Sequence, residues 1–222
     1  MFDAEHLIDL IIMGWLSNVP LAIGSIWTLS IFAERWWKLR GLETASRELA
    51  SEVIEALVER DLVGARRKCE ESKLPVAHML LEGLRWQNVA VEDLDRVFGT
   101  LRAELSAGLR RGIWIIGTVG SLAPFVGLFG TVIGIIRAFA IMSESGETGF
   151  QVVAASLSEA LIATAAGLGV AIVALLIFNY LNTRVAQVSA TYARASERLV
   201  QALLFAESSG GRIQGGQAAD RG

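Results

Sequence analysis

The sequence predicts an all-α membrane protein in which three helices cross the bilayer and carry long helical extensions on the cytoplasmic side. Residues 10–33 and 113–136 contain no charged residue, and residues 151–183 contain one, Glu159. A helix needs about 20 predominantly apolar residues to cross a bilayer, so each run is long enough. The chain is 53% hydrophobic but also 19% charged, so a sizeable part of it is expected to lie in water.

The first predicted span ends at an interfacial anchor. Residues 1–33 are interpreted as an outer N-terminus and this span, in which Pro20 is expected to kink the helix. Trp36 and Trp37 follow among cations, and this combination is typical of the membrane–water interface. Residues 34–112 then place apolar residues at three- and four-residue steps among charges of both signs, which predicts amphipathic helices. We expect the last of these helices to run without a break into the second span.

The second and third spans enclose a short outer loop. We place the second span at residues 113–142, the loop at 143–150 and the third span at 151–183. An amphipathic helix is expected at 184–206, and the Gly-, Ser- and Gln-rich tail at 207–222 is expected to be disordered.

The distribution of Lys and Arg predicts the orientation. Fourteen of the 20 lie between residues 34 and 111 and five lie from residue 184 on, whereas Arg137 alone lies near the opposite end of the spans. The positive-inside rule therefore places the insert and the C-terminus in the cytoplasm and the N-terminus outside. The net charge of −3 gives no bulk attraction to nucleic acid, so no nucleic-acid partner is expected.

The composition argues against enzyme and metal chemistry. Cys69 is the single cysteine, so an intrachain disulfide or a cysteine metal cluster is excluded. His6 and His78 are the only histidines, and their spacing gives no support to a metal site or a nucleophile–base pair. The sequence also lacks a G-x-x-x-x-G-K-[ST] phosphate loop. We expect no cofactor, no metal and no enzymatic activity.

One face of the second span consists of small residues. Gly120, Pro124, Gly127 and Gly134 recur there at steps of four, three and seven residues, which keeps them on one face of a helix, and Gly167 belongs to a similar face of the third span. Small faces let membrane helices approach closely, and they also leave room for another element to fit. The glycines alone fit either interpretation. Because Glu159 lies nearby, we assign all five residues to a pore-facing surface.

Glu159 is the residue that most strongly suggests transport. It lies about eight residues past the outer loop, roughly 12 Å down the helix. A charge at such a depth costs about 2.5–3.5 kcal/mol on insertion scales, and such residues usually mark an ion or proton path. Thr131 is expected at comparable depth and Thr164 one turn further down. Their hydroxyls can donate and accept, so the three residues are predicted to form a proton pathway.

Two points about this pathway stay open. Glu159 and Thr164 are about 140° apart on an ideal helix, so one can face a lumen while the other faces a seam between helices. Alternatively, Glu159 is neutral and only forms hydrogen bonds between helices. Three spans with one carboxylate do not make a pore alone, so we expect a homo-oligomer that surrounds a central element.

Two motifs in these spans resemble a known family. Residues 123–135, APFVGLFGTVIGI, and residues 158–168, SEALIATAAGL, resemble the ExbB/TolQ branch of the MotA/TolQ/ExbB proton-channel family. The resemblance implies that five copies form a ring around a dimer of a single-span ExbD- or TolR-like partner. It also implies a TonB- or TolA-like protein downstream and a place in the inner membrane of a Gram-negative bacterium.

The same resemblance carries residue roles onto this chain. Thr131 and Thr164 match lumen-lining threonines of the family, Glu159 matches its third-span glutamate, and Pro124 matches its second-span proline. Arg137 departs from the uncharged residue usual at that rim.

Two functions of different classes therefore remain. The first is a stator driven by the proton-motive force, working in TonB-dependent import, Tol-type envelope maintenance or gliding-type motility. The second is a membrane scaffold that organises partners and conducts nothing.

Overall fold

The computed structural model describes residues 15–85, 91–145 and 150–208, and the secondary structure within these ranges is α-helical. The predicted N-terminal segment 1–9, part of the outer loop and the tail from residue 209 on lie outside the described residues. The helices in chain order are α1 Trp15–Leu39, α2 Leu42–Val58, α3 Leu62–Glu71, α4 Pro75–Arg85, α5 Val91–Arg110, α6 Ile113–Ser145 and α7 Phe150–Ser208.

The chain divides into two compact units. The first comprises Met1–Trp36 and Gly112–Asn182, and the second comprises Trp37–Arg111 and Thr183–Gly222. Helix α7 contributes residues to both, because the predicted third span and the predicted C-terminal helix are one continuous helix.

Two of the described helices contain a segment that is long and apolar enough to cross a membrane. The segments are Ile113–Ala140 of α6 and Ser156–Ala206 of α7, and the most apolar 18-residue windows in them have mean hydropathies of 2.0 and 2.6. The predicted first span begins before the described residues, and from Trp15 on it is helical to Leu39. Helix α6 extends to Ser145, into the stretch predicted as the outer loop.

The expectation that the last insert helix runs straight into the second span is wrong. Helix α5 ends at Arg110 and α6 begins at Ile113. Gly112, between them, has a φ of 82°, in the left-handed region that glycine adopts at little cost. The residues on either side favour a helix, but this backbone angle interrupts the helical hydrogen bonds.

The second unit is built around an apolar core. Helix α2 packs on α3 and α4, and α4 packs on α5. The C-terminal part of α7 completes this core, since a Cβ on Gly83 of α4 would lie 2.8 Å from Leu199 Cδ2 of α7. The largest fully buried side chains of the unit are Val53, Leu57, Val76, Met79, Leu80, Leu84, Phe98, Tyr192 and Leu199.

Helix α2 ends in a Schellman turn that leads directly into α3. The Asp61 amide donates to the Ala56 carbonyl at 2.8 Å, and the Arg60 amide donates to the Leu57 carbonyl at 3.0 Å. The turn holds Arg60 at a φ of 66°, where glycine is the usual residue. Asp61 Oδ1 then accepts a 2.8 Å hydrogen bond from the Gly64 amide, which caps α3. One aspartate thus helps to end one helix and begin the next.

Replacing Asp61 with alanine is expected to loosen the start of α3. Loss of an N-cap costs about 1 kcal/mol, so amide exchange in the first turn of α3 should accelerate by about fivefold. Hydrogen–deuterium exchange of the purified full-length protein measures this. Asp61→Asn keeps a capping oxygen and serves as the control; exchange that rises equally in both variants would contradict the cap.

Cys69 is expected to resist alkylation near neutral pH. Burial, aided by the neighbouring Glu70 charge, raises the pKa of its thiol to about 11. Because the thiolate is the reactive form, alkylation at pH 8 should be roughly 100-fold slower than for an exposed thiol and should rise until about pH 11. Iodoacetamide labelling followed by mass spectrometry gives the rate. The control is Ser51→Cys, an exposed position on α2, in a Cys69→Ala background; equal rates at pH 8 would refute the prediction.

Candidate functional site

Helices α6 and α7 pack on each other in antiparallel directions through small residues. A Cβ added to Gly167 of α7 would lie 2.9 Å from Gly127 Cα of α6. A Cβ added to Gly134, further along α6, would lie 2.6 Å from Ala160 Cβ, which comes earlier on α7. Both distances are shorter than contacts that Cβ atoms make in proteins, so the two backbones are too close together for any residue other than glycine at these positions.

The small face that was predicted to face a pore packs against a helix of the same chain. Gly120, Gly127 and Gly134 of α6 face α7, and Gly167 of α7 faces α6, within the same chain. Their missing side chains serve close helix packing, which is the alternative that the glycines alone left open. Pro124 is half-buried beside this seam.

The two candidate threonines make different hydrogen bonds. Thr164 Oγ1 donates across the seam to the Gly127 carbonyl at 2.9 Å. Thr131 Oγ1 donates to the Leu128 carbonyl of its own helix at 2.6 Å. Both side chains are half-buried in a single chain. Thr164 thus links the two helices, whereas Thr131 makes no such link through its donor.

The threonines lie at the same level and on the same flank of the helix pair. Thr131 lies between Gly127 and Gly134 on α6. Thr164 lies on α7 between Gly167, which faces Gly127, and Ala160, which faces Gly134. Each threonine is displaced from the seam by about 40–60° of helical rotation in the same sense. When two antiparallel helices are in contact, residues that are displaced from the contact line by the same angle in the same sense lie on the same side of the helix pair. We call this side, which also carries Pro124, the threonine flank.

Helix α1 packs on the opposite flank. A Cβ on Gly130 of α6 would lie 2.7 Å from Ser17 Oγ of α1, and a Cβ on Gly24 of α1 would lie 3.2 Å from Val119 Cγ1 of α6. Ser17 is 4% exposed, and the sequence analysis did not single it out, although it is a polar residue within an apolar run. A buried cluster joins all three helices through Leu21, Ala123 and Ala171.

Glu159 lies on the flank of α1. It lies one turn before Ala163 on α7. A Cβ added to Gly130 of α6 would lie 3.0 Å from the Cβ of Ala163 and would also contact Ser17 of α1. Its side chain is half-buried and makes no hydrogen bond or ion pair with the residues that the structure describes. The structure therefore brings Thr131 and Thr164 together and leaves Glu159 on the other side of the same helix pair.

An aromatic cluster joins α1 and α7 near the end of the first unit. The rings of Trp36 and Tyr180 stack with their centroids 5.7 Å apart, and Phe32 packs against both. Trp37, the next residue, is 83% exposed. Of the two tryptophans predicted to anchor the chain at the membrane–water interface, Trp36 packs against other aromatic rings and Trp37 is exposed. In the described ranges, no three His, Cys, Asp or Glu side chains are placed to hold a metal ion.

Comparison with known proteins gives consistent relatives. The sequence profile of the MotA/TolQ/ExbB proton channel family matches residues 71–194. An ExbB-like biopolymer transport protein of Synechocystis sp. is 34% identical over 81% of this chain and 72% of its own length. The biopolymer transport protein ExbB of Pseudomonas putida is 32% identical over 89% of this chain. The Tol-Pal system protein TolQ of Haemophilus influenzae is 41% identical over 42% of this chain.

The chain matches only part of the length of two of these relatives. The chain covers 60% of the Pseudomonas putida relative and 44% of the Haemophilus influenzae relative, less than two thirds of either. The profile match covers more than half of this chain and contains both spans that pack through the glycine seam, as far as residue 194. The chain belongs to the MotA/TolQ/ExbB proton channel family, in its ExbB/TolQ branch.

Proposed function

We propose that this chain is the ion-channel-forming stator subunit of a motor driven by the proton-motive force. Copies of it form a ring, which the family resemblance puts at five, around a dimer of a single-span ExbD- or TolR-like partner. Proton flow moves the partner relative to the ring. The partner passes this work to the cell envelope, through a TonB- or TolA-like protein.

The proposed topology has three spans in the inner membrane of a Gram-negative bacterium. The N-terminus and the outer loop are periplasmic, and the insert and the C-terminus are cytoplasmic. Two observations support this: α6 and α7 each contain a segment long and apolar enough to cross a bilayer, and 19 of the 20 Lys and Arg residues lie in the parts placed inside. Lipids surround the assembled ring.

The observation that carries the proposal is the position of Glu159. It is the only charged residue between residues 151 and 183, it is half-buried, and no described residue is bonded to it. A carboxyl in an apolar span is costly and is usually retained for transport. Each proton that crosses about 100 mV releases roughly 2.3 kcal/mol, enough to bias a packed helix between discrete positions.

The threonine flank is the proposed wall toward the partner helices. It is not covered by α1, and Thr131 and Thr164 are half-buried there. Because Glu159 lies on the other flank, a proton that visits all three residues passes between helices or across a contact between two copies. The pathway of Glu159, Thr131 and Thr164 is thus proposed as a property of the assembly.

The relatives favour one of the three candidate systems in which the motor could act. Proteins named biopolymer transport protein ExbB cover up to 89% of this chain, whereas the Tol-Pal relative covers 42% of it. We therefore place TonB-dependent import first and Tol-type envelope maintenance second. Gliding-type motility remains the third candidate.

The test is reconstitution of the full chain with its co-expressed single-span partner. Native mass spectrometry in mild detergent should show five copies with two partner chains. Liposomes that contain this complex and a pH-sensitive dye should acidify when a potassium gradient and valinomycin impose an inside-negative potential. A stable monomer, or acidification no faster than in protein-free liposomes, would contradict the proposal.

A non-conducting scaffold is the second candidate, and the seam favours it. The glycines and Thr164 are engaged in contacts between helices of one chain, as a purely structural role requires. A scaffold predicts that the assembled complex conducts protons no faster than protein-free liposomes. Proton flux in the wild-type complex that is lost in Glu159→Gln would support the motor and exclude the scaffold.

A further inference from the structure

Helix α6 carries further hydroxyl groups between the threonines and its cytoplasmic end. Ser121 is exposed, and its Oγ donates to the Gly117 carbonyl at 2.9 Å. Thr118, about one turn earlier, is also exposed and donates to the Trp114 carbonyl at 3.1 Å. The donor of each hydroxyl is used within its own helix, and each oxygen keeps its capacity to accept.

Pro124 adds a backbone acceptor at the same place. It has no N–H group, so it cannot donate the helical hydrogen bond to the carbonyl of Gly120, four residues earlier. In membrane helices such released carbonyls are satisfied by neighbouring helices, side chains or ordered water. Gly120 is buried against Leu175 of α7, and the next residue, Ser121, is exposed.

Ser121 lies on the threonine flank. It follows Val119 by two positions, so it points about 160° away from the side on which Val119 packs against Gly24 of α1. The preceding residue, Gly120, faces Leu175 of α7. Because α1 and α7 occupy these other two directions, Ser121 is left exposed on the side that also carries Thr131.

The position of Ser121 along the helix suits a relay. It is about 15 Å from Thr131 and about 13 Å from Gly112, where α6 begins, at 1.5 Å per residue. Without it, Thr118 near the cytoplasmic end would be separated from Thr131 by about 20 Å of α6 with no other side-chain hydroxyl. A bound water needs two to four polar partners, and the Ser121 hydroxyl and the Gly120 carbonyl provide two.

We propose that Ser121 and the Gly120 carbonyl released by Pro124 bind water on the threonine flank. This water is one step in a longer chain of waters that carries protons between the threonine pair and the cytoplasmic end of α6. The inference rests on the proposed function for the role of the water in proton flow, but not for its presence.

Cysteine accessibility tests the presence of water. In a Cys69→Ala background, co-expressed with the partner, Ser121→Cys should react with a charged, membrane-impermeant methanethiosulfonate at least about tenfold faster than Ser25→Cys, because only a hydrated thiol ionises readily. Ser25 is half-buried on α1, next to Gly24, which packs on α6 at nearly the same level, so it is matched in depth. Equal reactivity of the two cysteines would overturn the water site.

Proton flux tests its role. Ser121→Ala and Pro124→Ala should each lower the flux of the reconstituted complex by about tenfold, because one loses the hydroxyl and the other returns an amide donor to the Gly120 carbonyl. Ser121→Thr keeps a hydroxyl and should retain most of the flux, and Ser25→Ala should leave it unchanged. Unchanged flux in Ser121→Ala would overturn the relay.

The results also separate this inference from the proposed function. A reactive Ser121→Cys in a complex whose wild-type form conducts no protons would refute the motor and keep the water site. An unreactive Ser121→Cys in a complex that loses flux in Glu159→Gln would refute the water site and keep the motor.

Discussion

Glu159→Gln is expected to abolish proton flux while leaving the assembled complex intact. Glutamine has nearly the same size and keeps hydrogen-bonding groups, but it cannot bind and release a proton. A positioned acid or base contributes about 100-fold or more to a proton-transfer step, so flux should fall by at least that factor. The flux of the reconstituted complex and its mass by native mass spectrometry are the two measurements.

The control for this variant is Glu197→Gln. Glu197 lies on the same helix, α7, and is exposed in the second unit, outside the predicted span. This variant should keep full flux, and Glu159→Asp, which retains a carboxyl, should keep part of it. Unchanged flux in Glu159→Gln would make the carboxyl structural and would remove it from the proton pathway.

Gly167→Ala is expected to have the largest effect on stability. The new Cβ would lie 2.6 Å from the Ala123 carbonyl oxygen and 2.9 Å from Gly127 Cα, both backbone atoms of α6. Because backbone cannot rotate away, the two helices must separate. Overpacking costs about 1–3 kcal/mol, and stretching the Thr164–Gly127 hydrogen bond adds about 1 kcal/mol. The free energy of unfolding, from titration with SDS in mixed micelles, should fall by about 2–4 kcal/mol.

Gly169→Ala is the matched control. Gly169 lies two residues further along α7, and a Cβ there would have no atom within 4 Å. Because alanine is a better helix former than glycine, this variant should be neutral or gain up to about 1 kcal/mol. Equal losses of stability in the two alanine variants would show that the close approach of α6 and α7 is not what Gly167 provides.

Gly167 and Glu159 are expected to lower proton flux for different reasons when they are replaced. Gly167→Ala should lower flux only as far as it lowers the amount of folded complex, because Gly167 lies between helices of one chain. Glu159→Gln should lower flux at constant amount. Reporting flux per assembled complex separates the two effects.

The fold class followed from features that act locally along the chain. An uncharged run as long as 113–136 is long enough to cross a bilayer whatever its neighbours are, and in the structure this run is helical. The join between α5 and α6 was predicted incorrectly, because a single residue, Gly112, adopts a left-handed angle that flanking helix-forming residues do not reveal. Glycine permits that angle but does not require it.

The sequence indicated candidate residues for the site but not their arrangement in space. The cost of a carboxyl in an apolar run singled out Glu159, and the helical period placed Glu159 and Thr164 about 140° apart. The period could not say which of the two faces the neighbouring helix. The hydrogen bond from Thr164 to Gly127 shows that Thr164 does.

The sequence by itself determined the helical class, the apolar segments, the isolated carboxyl and the family, since each depends on composition, spacing or motif within one stretch of chain. Only the tertiary structure decided that Gly120, Gly127, Gly134 and Gly167 close a seam, and that Glu159 and the threonines lie on opposite flanks. The physical reason is that a helix fixes the angles among its own residues. The direction in which another helix lies is fixed by contacts between residues far apart in the sequence, and a small residue is equally suited to a seam or to a pore.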